Sequence, residues 1–509
     1  MPATATPPRR WARPRSAIRS MRDALLLIAP VLVPFLGAAL AMMLRERPVI
    51  ARAIGIGTTL LLALASFALL WRTAVRSDLP LTVFGGWPRG FGISFSASWP
   101  GVALVAVTAL IAVAAALYSI GDIGPRRRRA GYDALMLALL GAVNGAFLTD
   151  DLFNLYVWFE LALVAALGLL TIDRRPAQID GAIRYASFAM LAATAILLGV
   201  GMIYGITGTL DIREAGAALA GRPPGFALAV ASALLLAGLA LKAGLAPFHL
   251  WLPASYHTAP TTVASVFAGL LTKMGFYALL LVFAAMFGTA SGSLSAAQLT
   301  PVFGVIAAVT MIVCALGALA QTDMRRLLAY HVIAQVGYMA VGLALASREG
   351  VAASVFYMVH SIIVQANLFL GIGLIRRASG SWDLSGTGGM VRREPLFALL
   401  FAVPVLSLAG IPPFSGFWAK LIVIRESLDA GMGWLGAIAI VAGLLTIVSM
   451  AILWTDACWK DPRRPLHRIP RSGIAAMALL SGATVAIGIL PQWLWTVAML
   501  SARALTGAP

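Results

Sequence analysis

The sequence has few charged residues. Over its 509 residues, 11% are charged and 60% are hydrophobic, and the mean hydropathy is +0.90. A soluble globular protein carries about 25% charged residues, so this composition excludes that class and indicates a protein of the lipid bilayer. The alternation of apolar and polar residues over about ten positions that is typical of a membrane β-barrel is also missing.

Motifs for nucleotide-driven or metal-dependent chemistry are absent as well. The two cysteines, Cys314 and Cys458, lie far apart in sequence and have no metal-ligand or redox spacing, so we interpret them as packing residues. The sequence contains no P-loop, HExxH or CxxC pattern. We therefore predict no cofactor, no metal site and no catalytic residue. The net charge of +18 reflects topology and not nucleic-acid binding, because the arginines lie at the ends of apolar runs.

About fourteen apolar runs are long enough to cross a membrane as helices, which takes about 20 residues each. We place these spans at 23–44, 50–71, 99–120, 131–149, 151–172, 181–207, 226–246, 260–286, 301–320, 325–346, 352–376, 396–424, 433–457 and 472–496. The sequence thus predicts an all-α polytopic membrane protein.

The distribution of arginine predicts the orientation. Basic residues outside the spans are concentrated in loops that follow odd-numbered spans, including 126–129 and 460–471. By the positive-inside rule these loops are cytoplasmic, and both termini are external. The six arginines of residues 1–22 disagree with that orientation. A signal peptide is the alternative for this segment, but the apolar run of about 21 residues is longer than a normal signal-peptide core.

Three of the four lysines lie inside spans. They are Lys242, Lys273 and Lys420, and Glu160 is the only acid well inside a span. A charge at the bilayer centre costs about 2.5 to 3.5 kcal/mol, so each needs a partner, water or the loss of its charge. Burial disfavours a charged amine and a nearby carboxylate favours it, so such a lysine can take up and release a proton. The alternatives are a structural Glu–Lys pair and a lysine that extends to the membrane surface.

Two spans are interrupted close to a lysine. Pro247 follows Lys242 in "LKAGLAPFHLWLP", and Pro412 and Pro413 precede Lys420 in "SLAGIPPFSGFWAK". Proline breaks a helix and frees carbonyls, which then need a cavity or water. The interrupted spans are the seventh and the twelfth. Because five spans are an odd number, the sequence predicts two inverted five-helix repeats with two broken helices and an ion pathway near mid-membrane.

Four histidines add candidate sites for proton transfer. His331 and His360 fall in the tenth and eleventh spans, whereas His249 and His257 flank the segment after the first interruption and are candidates for a lesser role. Imidazole titrates near neutral pH, which suits a proton carrier. The alternative is a buried histidine that only satisfies a hydrogen bond.

Several long stretches resemble one known family. They are "LGAVNGAFLTDDLFNLYVWFE", "YGITGTLDI", "LKAGLAPFHLWLPASYHTAPTTVASVFAGLLTKMGFYALL", "HSIIVQANLFLGIG" and "SLAGIPPFSGFWAK". They resemble the D subunit of multisubunit Mrp-type cation/proton antiporters, which is related to the antiporter-like subunits of respiratory complex I. The likeness covers nearly the whole chain from Met21. Because proteins of that family usually begin near this methionine, the resemblance implies that the arginine-rich tail is an extension or a misassigned start.

The resemblance also implies roles for the buried charges. Glu160 matches the family's fifth-helix glutamate, and Lys242 matches its broken-helix lysine. Lys273 matches the bridging lysine, and Lys420 the lysine after the second break. Together these residues would line a polar axis for protons, in which a Glu–Lys pair switches between closed and open states.

The chain departs from the family pattern at three places. Gln365 stands where the family usually has a lysine, and glutamine cannot titrate. Ala254 replaces a common aspartate, and "SASWPGVAL" lacks the family's usual acidic residue. These departures keep open the hypothesis of a non-conducting structural subunit.

The predicted function is that of a proton-translocating subunit in the inner (plasma) membrane, which is not an enzyme by itself. It would act with sister subunits to exchange a monovalent cation, expected to be Na⁺, for protons, with no nucleic-acid partner. The alternative is a proton-pumping subunit of a complex I-type NADH dehydrogenase or a membrane hydrogenase, without a redox centre in this chain.

The expected organisation has five parts. They are an arginine-rich tail (1–22), helices 1–3 (23–130), a first repeat with helices 4–8 (131–290), a second, inverted repeat with helices 9–13 (300–460), and a C-terminal loop with helix 14 (461–509).

Overall fold

The chain is built almost entirely of α-helices. A computed structural model describes residues 14–76, 80–84, 87, 92–220, 225–287, 296–462 and 467–506, without the side chains of 14–20 and 296–298. The first half contains α1 (Pro14–Met43), α2 (Pro48–Val75), α3 (Trp99–Asp122), α4 (Pro125–Arg129), α5 (Tyr132–Leu148), α6 (Leu152–Leu170), α7 (Pro176–Thr207), α8 (Ile212–Leu219), α9 (Phe226–Ala243), α10 (Trp251–Ser255), α11 (Thr261–Val266) and α12 (Thr272–Leu281). The second half contains α13 (Ala296–Leu319), α14 (Met324–Ala344), α15 (Arg348–Ser379), α16 (Met390–Arg393), α17 (Pro395–Ala409), α18 (Ser415–Asp429), α19 (Gly433–Trp454), α20 (Arg471–Ile489) and α21 (Pro491–Thr506).

Shorter elements complete the fold. β1 (Leu81–Val83) and β2 (Ser94–Ser96) form an antiparallel hairpin in which Leu81 lies opposite Ser96. A π-helical segment at Phe267–Leu271 joins α11 to α12, and a second at Val282–Met286 extends α12, so that Thr261–Met286 is one continuous helix.

The predicted all-α membrane fold is confirmed. In the described residues, twelve helices are long and apolar enough to cross a membrane, and α5 and α17 are shorter apolar helices. Thr261–Met286 and α15 are buried throughout their most apolar windows, and α14 is nearly so. These three helices form the centre of the bundle, whereas α1 and α2 expose most of their surface.

The helices at both ends of the chain have other bounds than expected. The predicted tail at 1–22 lies partly outside the described residues, and α1 begins within it, at Pro14. The prediction of one span at 472–496 is wrong in its extent, since α20 ends at Ile489 and α21 begins at Pro491. Proline lacks an amide hydrogen and is therefore tolerated at the first position of a helix but not inside it. α21 packs against α3 and α15.

Both predicted interruptions are present and have the same form. α9 ends at Gly244 and α17 at Gly410, with φ angles of 76° and 90°. Glycine adopts this left-handed conformation at low cost and commonly ends a helix. In both cases the glycine amide donates to two carbonyls of the last turn. The chain then continues through a short turn to α10 or to α18.

Other features recur in the two halves in the same order. Asp151 pairs with Asp211, and Asp323 with Asp383, in two isolated antiparallel bridges. The side chains of Asp151 and Asp323 cap the first turns of α6 and α14. The next helices, α7 and α15, both have 32 residues, and both end at a left-handed glycine. The features around α6 and α7 thus match those around α14 and α15.

The matching helices run in opposite directions. Arg175 and Gln178, at the start of α7, line the same cavity as Arg376 and Arg377, at the end of α15. The start of one helix therefore lies beside the end of its counterpart. This arrangement agrees with the inverted repeats expected from an odd number of spans.

Candidate proton pathway

The first buried charges form an ion pair between α6 and α9. Lys242 Nζ lies 3.7 Å from Glu160 Oε1, and the two side chains are 9% and 33% exposed. The ammonium also lies 5.2 Å from the centroid of the Phe159 ring, where the π face attracts a cation. The separation in the ion pair is longer than a hydrogen bond, and Glu160 Oε1 has no hydrogen-bond partner among the described residues. The carboxylate is therefore held by charge, and its exposed side is open to water or to a neighbouring subunit.

Lys273 lies at the end of a π-helical segment and is fully buried. Its Nζ donates to the carbonyl of Ala268, within that segment, at 2.8 Å. A π-helical turn disturbs the regular α-helical hydrogen-bond ladder, so a side chain can bond to one of its carbonyls. In the described part of the chain, Lys273 forms no ion pair. A Cβ at Gly275 would lie 2.6 Å from the carbonyl carbon of Lys242, so the backbones of α9 and α12 touch between the two lysines.

Lys420 lies against the second interruption. Its Nζ donates to the carbonyls of Leu408 and Ala409, at 2.9 Å each, and lies 5.7 Å from the Tyr338 ring centroid. The expectation that only a cavity or water would satisfy the freed carbonyls is wrong here, because the lysine itself is their donor. At the first interruption, the indole Nε1–H of Trp251 donates to a carbonyl of α9 at 3.2 Å.

His360 connects α15 to the second interruption. Its Nδ1 lies 2.9 Å from the Oγ of Ser415, which in turn lies 3.1 Å from the Oγ of Ser407. The imidazole is almost fully buried, and its Nε2 has no partner in the described residues. His360 thus has one ring nitrogen hydrogen-bonded to a pair of serine hydroxyls and one ring nitrogen without a partner among the described residues.

The other histidines differ in their surroundings. His331 is fully buried, and its Nε2 lies 2.6 Å from the Oγ of Ser449 on α19. His257 contacts the carbonyl of Pro253 through Nδ1 at 2.8 Å, and the Nδ1 of His249 has no partner within the described chain. Among the described residues, neither His249 nor His257 is hydrogen-bonded to a predicted lysine or glutamate of the pathway.

Sequence reasoning missed three linked polar residues, Gln335, Tyr338 and Tyr357, of which Tyr338 lies beside the ammonium of Lys420. The rings of Tyr338 and Tyr357 stack with centroids 5.2 Å apart, and the Tyr357 hydroxyl donates to the side-chain oxygen of Gln335. His331, Gln335 and Tyr338 follow one another at helical spacing, so they share one face of α14. A search for polar side chains with that spacing would have found Gln335 and Tyr338, whereas Tyr357 lies on α15.

Gln365 lies in the central helix α15, and neither its Oε1 nor its Nε2 has a partner among the described residues. The same holds for the hydroxyls of Thr272, next to Lys273, and Ser361, next to His360. α15 packs against both the first π segment and α12. Buried polar atoms usually bind protein or ordered water. These atoms can therefore hold water between the helices of Lys273 and His360.

Comparison with known proteins identifies the family. Residues 149–446 match the family described as NADH:quinone oxidoreductase/Mrp antiporter, TM. The D subunit of the Na⁺/H⁺ antiporter of Alkalihalophilus pseudofirmus is 33% identical over 438 residues, which cover 86% of this chain and 88% of that protein. The chain belongs to the family of Mrp antiporter D subunits. The resemblance inferred from the motifs is thereby confirmed.

Solved structures share this fold. A chain of the Mrp complex from Dietzia sp. aligns with a TM-score of 0.87 at 30% identity, covering 96% of this chain and 98% of that chain. A chain of an archaeal respiratory membrane complex, the membrane-bound sulfane sulfur reductase, aligns with a TM-score of 0.87 at 26% identity, covering 95% and 98%. The fold thus occurs in an Mrp complex and in a respiratory complex.

Proposed function

We propose that this chain is the proton-translocating subunit of a multisubunit monovalent cation/proton antiporter. One observation carries the proposal: Lys242 lies in the last turn of α9, and the ammonium groups of Lys273 and Lys420 bond to a π-helical turn and to the end of α17. Only Lys242 has an acidic partner in the described residues. A structural ion pair would need neither the other two lysines nor the irregular helices around them. Burial disfavours the charged form of an amine, and hydrogen bonds to carbonyls favour it, so these opposing effects allow the buried ammonium groups to gain and lose protons.

The proposed pathway starts at Glu160 and Lys242 and continues to Lys273. From Lys273 the proton moves through water held by buried polar groups on α12 and α15, and then to His360 and Lys420. Ammonium groups close together in a medium of low dielectric constant repel each other, so protonation of one lysine favours release from the next. His331 would be a branch of this route, and His249 and His257 lesser stations.

We propose Na⁺ as the exchanged cation and sister membrane subunits as the partners, since relatives are named as D subunits of Na⁺/H⁺ antiporters and a similar chain lies in an Mrp complex. The proposed location is the plasma membrane, with the arginine-rich loops in the cytoplasm. A redox-driven proton pump is the second candidate, favoured by the similar chain in a respiratory membrane complex. A non-conducting subunit is the third, favoured by the neutral Gln365 in the centre of the bundle.

The test is antiport by the whole reconstituted complex after removal of the first pair. We expect Glu160→Gln and Lys242→Ala each to abolish Na⁺-dependent proton flux in proteoliposomes while the sister subunits still co-purify. Lys242 is only 9% exposed and Glu160 33%, so Glu160→Gln leaves a largely buried ammonium without its partner, and we expect a loss of stability of up to about 3–5 kcal/mol.

Two matched controls use exposed residues. Glu349→Gln changes an exposed glutamate in the first turn of α15, and Lys460→Ala changes the fourth lysine, whose side chain is 65% exposed. Both variants should transport like the wild type. Wild-type exchange by Glu160→Gln or Lys242→Ala would instead make the pair structural.

A further inference from the structure

A cavity of about 390 Å³ lies at one end of the bundle, away from the lysines. It is formed where six segments meet: the end of α3 with α4, the start of α7 and the residues before it, the turn between α10 and α11, the start of α14, the end of α15 and the residues after it, and the residue before α20. All six belong to loops that follow odd-numbered spans, the side that the arginine distribution predicts to be cytoplasmic. From this prediction we infer that the cavity lies near the cytoplasmic membrane surface, within reach of lipid headgroups.

The lining of the cavity is rich in arginine. Five arginines line it, namely Arg127, Arg175, Arg325, Arg376 and Arg377, together with the acids Asp122 and Asp173. Arg127 is occupied by a bidentate ion pair with Asp173, with distances of 2.8 and 2.7 Å. The other acid, Asp122, accepts hydrogen bonds from the amide and the hydroxyl of Thr262. Arg325 donates to the carboxylate of Asp323, at 3.1 and 2.6 Å. Arg175, Arg376 and Arg377 thus have no acidic partner among the described residues, and the cavity keeps an excess of positive charge.

Two of the arginines keep their N–H donors free. The side chains of Arg175 and Arg376 form no ion pair and no hydrogen bond with other described residues. Arg325 and Arg376 both lie over the Trp382 ring, at 4.5 and 5.8 Å from its centroid, so the indole contacts two guanidinium groups of the cavity. A planar guanidinium offers paired N–H donors that match the oxygens of a phosphate group, and it is always charged.

We propose that this arginine cavity binds a phosphate group, as carried by the headgroup of an anionic phospholipid. Basic pockets between helix ends on the cytoplasmic side suit such headgroups. Gln178, Thr258 and Thr261 line the same cavity and add polar side chains around the phosphate. The bound phosphate would connect the start of α7 with the ends of α3 and α15, and so join the two repeats at this surface.

The experiment uses the delipidated whole complex in detergent, with native mass spectrometry and thermal unfolding as readouts. The probes are phosphatidylglycerol, phosphatidylcholine and inorganic phosphate, with chloride added to match the ionic strength. The test variant is Arg175→Gln combined with Arg376→Gln, which should fold because neither side chain has an ion pair to lose. The matched control is Arg392→Gln combined with Arg393→Gln, two exposed arginines outside the cavity.

We expect phosphatidylglycerol to remain bound to the wild type and to raise its unfolding temperature more than phosphatidylcholine does. The test variant should bind it at least about tenfold more weakly, while the control binds normally. Stabilisation by inorganic phosphate at millimolar concentration, lost in the same variant, would assign the site to soluble phosphate compounds. Equal binding by wild type, test variant and control would overturn the proposal. Equal stabilisation of the wild type by phosphatidylglycerol, phosphatidylcholine and inorganic phosphate would overturn it as well.

Discussion

Substitution of Lys420 can separate a structural role from proton transfer. Its ammonium donates to the carbonyls of Leu408 and Ala409, the last residues of α17. Alanine leaves these two buried carbonyls without that donor, at about 1–3 kcal/mol each, so Lys420→Ala should lose about 2–6 kcal/mol of stability. Water that enters the space would bring the loss toward the lower value.

Arginine keeps the positive charge and the donors but cannot be deprotonated in a protein. The lysine side chain packs closely on Gly410, where an added Cβ would lie 2.9 Å from its Cδ and 3.3 Å from its Nζ, and less closely on Gly443, where the distance to Nζ would be 3.9 Å. Because arginine is larger, we expect Lys420→Arg to lose about 1–3 kcal/mol of stability through overpacking, to assemble with the sister subunits and to transport no better than Lys420→Ala.

The assay is Na⁺-induced dequenching of a pH-sensitive dye in inverted vesicles, with co-purification of the sister subunits and the unfolding temperature measured on the same preparations. Transport near the wild-type rate by Lys420→Arg would refute the reasoning, because a fixed positive charge would then be sufficient. A stable Lys420→Ala variant would refute the structural part alone.

Three further changes test other parts of the structure. Gln365→Leu should leave the stability equal or higher, because the glutamine side chain forms no hydrogen bond with a described residue. Gln365→Lys should fold and transport at least as fast as the wild type. Loss of folding in the lysine variant would place the proton route elsewhere. Gly275→Ala should lower the stability by about 1–3 kcal/mol and reduce antiport, because the added methyl group meets the backbone of α9. In the control Gly205→Ala the methyl group enters open space and should change little. Equal unfolding temperatures of the two variants would contradict this prediction. The hydrogen bonds from Arg127 hold the pKa of Asp173 below its ordinary value of 3.8. This carboxylate therefore stabilises the fold above pH 3.8, and the contribution is lost as the pH falls through the lower pKa of the folded state. Asp173→Asn should remove this acid dependence from a profile of unfolding temperature against pH, and an unchanged profile would argue against the pair.

The sequence was sufficient to predict where the helices lie and where two of them break. Long apolar runs report span length directly, and Pro247 and Pro413 mark the interruptions because proline cannot continue the hydrogen-bond ladder. The last run was misread because hydropathy continues through Pro491, although the helix does not. Hydropathy averaged over a window of residues cannot distinguish one span from two helices joined at a proline.

The charged members of the candidate site could be predicted, but not the partners of all of them. A lysine in an apolar run is conspicuous, and the single acid well inside a span limited the carboxylate partner to Glu160, whereas the choice among the three lysines came from the family resemblance. The bond from Lys273 to Ala268 depends on a π-helical turn, which leaves no pattern in the sequence. The stacked pair of Tyr338 and Tyr357 depends on how α14 packs against α15, because apolar surroundings hide which face each ring occupies.

The two interrupted helices also supply countercharge. The aligned peptide dipoles of a helix leave roughly half a negative charge at its carboxyl end. Lys242 lies in the last turn of α9, and the ammonium of Lys420 lies against the last carbonyls of α17. Such a pole attracts an ammonium group but cannot take its proton, so in the proposed pathway it would stabilise the charged state without accepting the proton. Backbone carbonyls thereby take the place of a buried carboxylate for Lys420 and, at a π-helical turn, for Lys273, whereas Lys242 has Glu160 as well.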